Sequence, residues 1–221
     1  VLRGFKITGA IVRGSVIPPD NVSWSSSPTH PIGAGIYCEF SSPTIVDCVI
    51  TQCSAELGGG IGAVGGTPAF MDCTIEECYA GGMGPAQSGG YGAGIGLIRG
   101  SDADIINCKI KSNVGYRNGC GAGVYCWKSE ALLANCDISF NSAQGSIQGG
   151  GIYCGGSPTR VTLEHCVISH NTAESGGGIF ANSPAYVRVT NCTIANNRLS
   201  GSQMSVGGGI HSAGSDIVIK N

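Results

Sequence analysis

Gly149-Gly150-Gly151-Ile152-Tyr153-Cys154 is followed twelve residues later by Cys166-Val167-Ile168, and the recurrence of these two phrases decides the fold. The first, Gly-x-Gly-[Ile/Val], occurs seven times, starting at Gly33, Gly58, Gly92, Gly121, Gly149, Gly176 and Gly207. The second, Cys-x-Ile, starts at Cys48, Cys73, Cys108, Cys136, Cys166 and Cys192. A self-similar period of this length is the mark of a stacked repeat architecture. Successive glycine phrases lie 25, 34, 29, 28, 27 and 31 residues apart. That variation suits a coil with extensible loops and not a helical repeat of constant geometry.

Each unit contains three short apolar stretches separated by turn residues and rich in β-branched side chains, which read as strands. They are the glycine phrase, a middle stretch such as Thr44-Ile45-Val46 or Leu132-Leu133-Ala134, and the Cys-x-Ile triplet. The expected fold is all-β: a right-handed parallel β-helix, a solenoid of about seven coils with three strands per coil. Successive residues of a strand face opposite sides, so alternation assigns the walls. Inward rows are Ile36, Ile61, Ile95, Val124, Ile152, Ile179, Ile210; Cys38, Ala63, Leu97, Cys126, Cys154, Ala181, Ser212; Ile45, Phe70, Ile105, Leu133, Leu163, Val189; and the triplet Cys and Ile residues. Two polar rows complete the unit. Asp47, Asp72, Asn107, Asn135, His165 and Asn191 precede the triplets, and Asn113, Asn141, Asn171 and Asn197 follow them, with Cys53 and Cys78 in the same place in the earlier units. Asn and Asp accept left-handed backbone and bond their own main chain, so both rows read as corner residues and not as ligands.

The unit Asn191 to Asn197 followed by Gly207 to Ile210 resembles the Gly-Gly-Ala-Ile and Phe-x-x-Asn repeats of the polymorphic outer-membrane proteins, and more broadly the right-handed β-helix repeat proteins of bacterial cell surfaces. Cys replaces the Phe of that pattern. The resemblance runs from Gly33 onward. It implies export, to an extracellular or bacterial cell-surface location, and leaves activity open, because adhesins, polysaccharide lyases, glycoside hydrolases and tailspikes share the fold.

One domain over residues 1–221 is expected, with 1–32 as a partial first coil carrying a long loop, 33–206 as six full coils and 207–221 as a partial last coil. Val1 to Ile7 and Ile217 to Asn221 fall at nearly the same phase of the repeat. This reads either as a piece of a longer protein or as copies stacking end to end. Only 12% of residues are charged and the net charge is −2, which offers no electrostatic footprint for nucleic acid, and no apolar run approaches the ~20 residues of a membrane-spanning helix. Twelve cysteines occur without any Cys-x-x-Cys, so no metal site is expected. Stacked thiols point in parallel and act as small buried hydrophobes. Cys53 and Cys78, at one turn position of adjacent units, leave a disulfide open as an alternative.

Function then falls to outward faces and loops. The outward row of the glycine strand reads Tyr37, Gly62, Gly96, Tyr125, Tyr153, Phe180, His211, with Trp127 at the end of its strand and Trp24 in the loop from Ala10 to Ile32. Aromatic faces of this kind stack on sugar rings, so Tyr37, Tyr125, Trp127, Tyr153, Phe180 and Trp24 are the candidate binding residues. The other reading is that the rings simply stack along the coil. For an enzyme the candidates are Arg99, Asp102, Asp104, Lys128 and Glu130, offering carboxylates for glycoside hydrolysis or a base for a lyase, with calcium as cofactor in the lyase case. The same charges also read as cross-strand pairs. The expected function is a non-catalytic extracellular scaffold or adhesion domain, binding glycans or other copies of itself, with a polysaccharide lyase or glycoside hydrolase as the alternative and no cofactor in the first case.

Overall fold

The computed structural model describes residues 1–11, 32–81, 89–116, 119–145, 148–201 and 205–221. The chain winds into a parallel β-helix in which every strand pairing among these residues is parallel and joins equivalent positions of neighbouring coils, as in Ile95 with Ile61 and Val124. Inward rows therefore stack like on like, about 4.8 Å apart.

The glycine wall has seven strands: Ile36–Glu39, Ile61–Val64, Ile95–Ile98, Val124–Trp127, Ile152–Gly155, Ile179–Asn182 and Ile210–Ala213. The middle wall has eight: Leu2–Arg3, Thr44–Val46, Ala69–Met71, Asp102–Ile106, Glu130–Ala134, Arg160–Glu164, Tyr186–Thr190 and Asp216–Lys220. The triplet wall has seven: Lys6–Thr8, Val49–Thr51, Thr74–Glu76, Lys109–Lys111, Asp137–Ser139, Val167–Ser169 and Thr193–Ala195. A fourth, narrow wall adds six strands of two or three residues: Ser54–Ala55, Tyr79–Ala80, Val114–Tyr116, Ser142–Gln144, Thr172–Ala173 and Arg198–Leu199. The three strands per coil read from the sequence are thus present, and the fourth is too short to show any period.

Local chemistry explains each corner. The first glycine of all seven phrases is left-handed, with φ between 59° and 71°, a conformation glycine adopts without steric cost. The last glycine faces the interior: a Cβ on Gly123 would stand 2.5 Å from the Gly151 carbonyl oxygen and 3.0 Å from Asn141 Nδ2. The row Asp47, Asp72, Asn107, Asn135, His165, Asn191 turns the middle wall into the triplet wall in left-handed backbone, φ 51–55°, as the residue types predict. Its side chains link along the stack, Asn107 Nδ2 donating to Asp72 Oδ1 at 3.2 Å. The corner into the fourth wall is also left-handed, at Gln52, Glu77, Ser112, Phe140, His170 and Asn196. Most of those residue types carry no such preference, which hid that corner in the sequence.

The core between the walls is one continuous apolar cluster from Cys38 to Val189. Asn113, Asn141 and Asn171 are fully buried beside it. Each Nδ2 donates to a carbonyl of the previous coil, Asn113 to Ile75, Asn141 to Ile110 and Asn171 to Ile138, at 2.8–3.1 Å, and also to the next Asn Oδ1. Each Oδ1 in turn accepts the backbone N–H of the preceding ladder member. This satisfies buried polar groups that would otherwise be costly. Ala122, Ala143 and Ala173 form a small cluster where the narrow wall lies directly on the glycine phrases; side chains this small permit that approach.

All twelve cysteines are free thiols, Cys53 and Cys78 included, so the bridge left open for that pair is not formed. The two occupy identical sites on adjacent coils, and Sγ of each donates to the carbonyl two residues earlier, Thr51 and Glu76, at 3.3 Å. The triplet thiols likewise bond carbonyls of the middle wall: Cys136 to Ile105 and Cys166 to Leu133, both at 3.3 Å.

Candidate functional site

The outward aromatic row lies on the glycine wall as alternation predicts, with Tyr125 in register with Tyr153 and Tyr153 with Phe180. It does not form an open platform. Tyr125, Tyr153 and Phe180 are 3%, 4% and 3% exposed, inside a second apolar cluster with Ile32, Leu57, Val64 and Ile98, against which Tyr91, Cys120 and Trp127 pack. The rings stack along the coil: Tyr125 on Tyr153 at 5.3 Å, Tyr153 on Phe180 at 5.6 Å, Trp127 on Tyr125 at 6.3 Å. The sugar-stacking face expected at Tyr125, Trp127, Tyr153 and Phe180 is therefore largely closed, and of that row Tyr37 stays exposed at 37%. Trp24 lies outside the described residues.

The cover is supplied by the residue just before each glycine phrase. Ile32, Leu57, Tyr91, Cys120, Gln148, Ser175 and Val206 form their own parallel row of bridges, folded over the outward row of the next coil. A Cβ on Gly62 would meet Ile32 Cγ2 at 2.5 Å, and one on Gly96 would meet Leu57 Cδ2 at 2.9 Å. Ile32 and Leu57 thus stand over glycine, while Tyr91 packs against Tyr125 with ring centroids 5.1 Å apart and Cys120 sits beside Tyr153. The gap at Gly62 and Gly96 is a packing solution. Burial has the matching electrostatic effect: the Cys120 thiol is pushed up to about 12 and the Tyr125 phenol well above its usual range. Asn182 Nδ2 donates to the Tyr153 hydroxyl at 3.0 Å. Tyr37 is pushed up to about 12 by burial and by Glu39 beside it.

The charged candidates sit where the glycine wall turns into the middle wall. Asp102 is in register with Glu130, and Glu130 with Arg160. Glu130 Oε1 is 3.9 Å from Arg160 Nε, and the Arg160 guanidinium stands 5.9 Å over the Tyr186 ring. Asp104 faces outward in the next column, beside Leu132. Arg99 and Lys128 hold left-handed corner positions on adjacent coils, φ 55° and 50°. Arg99 Nε and Nη2 are buried without a hydrogen-bond partner among the described residues, so the guanidinium edge is not joined to Asp102 or Asp104. Asp102 and Glu130 do neighbour each other, but both are exposed. Among the described residues no three of His, Cys, Asp and Glu converge to hold a metal ion.

The structure also presents aromatic residues that the strand reading passed over. Tyr79 and Tyr116 stand on the outer face of the narrow wall, with ring centroids 6.3 Å apart, planes 13° apart, and 42% and 39% exposed. Phe140, 58% exposed, stacks on His170 at 4.8 Å on the adjoining corner. The signal was present in the position of Tyr79 directly after the ladder residue Cys78 and of Tyr116 three residues after Asn113. A two-residue strand, however, shows no alternation to read.

A family model described as "Right handed beta helix region" matches residues 93–221. No curated protein matches the chain, and no solved structure does.

Proposed function

Because the chain belongs to the right handed beta helix family, we propose that it is a non-catalytic scaffold, extracellular or on a bacterial cell surface, that presents a rigid side face to glycans or neighbouring chains. The observation that carries this reading is where the repeat changes length. Each triplet Cys stands five residues before its ladder residue in all six units, from Cys48 and Cys53 to Cys192 and Asn197. Between the narrow wall and the next glycine phrase the spacing is instead uneven: short from Ala55 to Gly58 and from Ala173 to Gly176, long from Ala80 to Gly92 and from Leu199 to Gly207. Most of the variation is thus gathered on one edge, the distance from glycine phrase to triplet Cys ranging only from 15 to 17 residues, while the corners around the triplet wall keep constant length, the arrangement of a fixed frame carrying recognition elements.

The enzymatic reading rests on Asp102 beside Glu130, whose strand spacing of ~4.8 Å is near the separation retaining glycosidases use. A carboxyl that donates a proton at neutral pH is made by shielding it from water, whereas this pair stands on an open face with Glu130 turned toward Arg160. Incubation with uronic-acid and neutral polysaccharides, followed by ultraviolet absorbance for unsaturated products and a reducing-end assay, tests the choice. The scaffold yields no product. Product formation that disappears in Lys128→Ala or Glu130→Gln overturns it.

A further inference from the structure

We infer that Tyr79 and Tyr116 form a stacking site for an uncharged sugar chain on the outer face of the narrow wall; this rests on the scaffold reading and names the ligand its side face takes. Tyr79 is paired with Val114, and Tyr116 lies two residues further along the same strand on the same side. The two rings are thus brought together by backbone pairing. Their 6.3 Å separation and 13° tilt fit an offset aromatic pair. Even so, about two-fifths of each residue remains open to solvent. Beneath them Ala80 is fully buried and Gly115 faces Ala122, where an added Cβ would stand at ordinary contact distance, 3.4 Å from Gly90 O and 3.9 Å from Ala122.

The surroundings select the ligand. Residues in register with the pair on either side are Ser54, Ser142 and Gln144, followed by Thr172 and then Arg198. Those on the adjoining coils supply hydroxyl and amide groups without charge, and Arg198 stands three coils from Tyr116, so neither a polyanion nor a polycation gains an ionic contact from the residues that adjoin the rings in register. The C–H face of a pyranose ring stacks on an aromatic face while its hydroxyls bond such side chains. A protein partner would need about 800 Å² of surface per side with an apolar centre; two rings edged by Ser, Thr and Gln offer far less, and a sugar fits that area.

The test is isothermal titration of the intact chain with neutral hexasaccharides of glucose, mannose, xylose and N-acetylglucosamine, with hexagalacturonate as the charged comparison. At least one neutral oligomer should bind, and Tyr79→Ala or Tyr116→Ala should weaken it about ten-fold. Tyr79→Phe and Tyr116→Phe, which keep the ring face, should bind within about two-fold of the parent, and circular dichroism should show all four variants folded. Binding of a neutral oligomer that is unchanged in both alanine variants, binding of hexagalacturonate alone, or no binding at millimolar sugar each overturns the site. None of these three results touches the scaffold reading, which falls instead if polymer is cleaved.

Discussion

Asn141→Ala removes the centre of the buried asparagine ladder, and its cost follows from the bonds it makes. Asn141 Nδ2 donates to Ile110 O and to Asn171 Oδ1, both at 2.9 Å, while its Oδ1 accepts Asn113 N–H at 3.1 Å and Asn113 Nδ2 at 3.0 Å. Four bonds at about 1 kcal/mol net each come to about 4 kcal/mol. Three of the four groups left behind keep another partner: Asn171 Oδ1 still accepts Asn141 N–H, Asn113 Nδ2 still reaches Ile75 O, and Ile110 O retains its place in the sheet. The Asn113 N–H loses its acceptor in a fully buried site, adding about 1–3 kcal/mol. The expected loss is about 5–7 kcal/mol. Asn141→Cys should cost less, because Cys78 occupies this place two coils earlier and its Sγ reaches Glu76 O at 3.3 Å and, more weakly, Ile50 O at 3.8 Å. Urea unfolding followed by tyrosine and tryptophan fluorescence measures the difference, and hydrogen exchange at the Asn113 amide locates it if the stack unfolds in parts. A loss below about 1 kcal/mol, or an Asn113 amide that stays protected, would refute the argument that the ladder holds this corner.

Stability should fall in alkali. Burial pushes Cys38 up to about 11 and Cys154 up to about 12, against about 8.5 for an unfolded thiol; their contribution is complete below pH 8.5 and is lost as pH rises toward 11–12, at about 1.4 kcal/mol per pH unit per thiol, readable as a drop in urea midpoint between pH 8 and 10. Gly123→Ala should destabilise by about 2 kcal/mol or more, since the new methyl meets the Gly151 carbonyl and the Asn141 amide and overpacking of this kind costs about 1–3 kcal/mol; thermal unfolding checks it. Alkylation in denaturant without reductant should add twelve labels by mass, because every cysteine is free, and native protein should take up far fewer; ten labels would mean one bridge, with Cys53 and Cys78 the pair to map. Glu130→Gln should change stability by less than about 1 kcal/mol in the same urea assay, because the pair with Arg160 is 3.9 Å long and exposed.

Backbone chemistry written in residue type was legible before any coordinates. The glycine-phrase strand, the Asn and Asp corner, the inward Ile and Cys rows and the parallel stacking all follow from side-chain period and from which residues tolerate positive φ. These are local properties, repeated until they leave no other winding. What tertiary structure alone decided is which outward residues see water. Alternation sent Tyr125, Tyr153 and Phe180 away from the core correctly, yet they are buried because residues just before the glycine phrases, each one coil earlier and outside any strand, fold over that face, as Tyr91 does against Tyr125 and Cys120 beside Tyr153. Tyr79 and Tyr116, on strands too short to carry a period, became the open pair instead. A repeat pattern determines direction from the chain axis, but exposure depends on what else the coil lays across the surface, and that is a contact between residues whose sequence spacing the pattern does not encode.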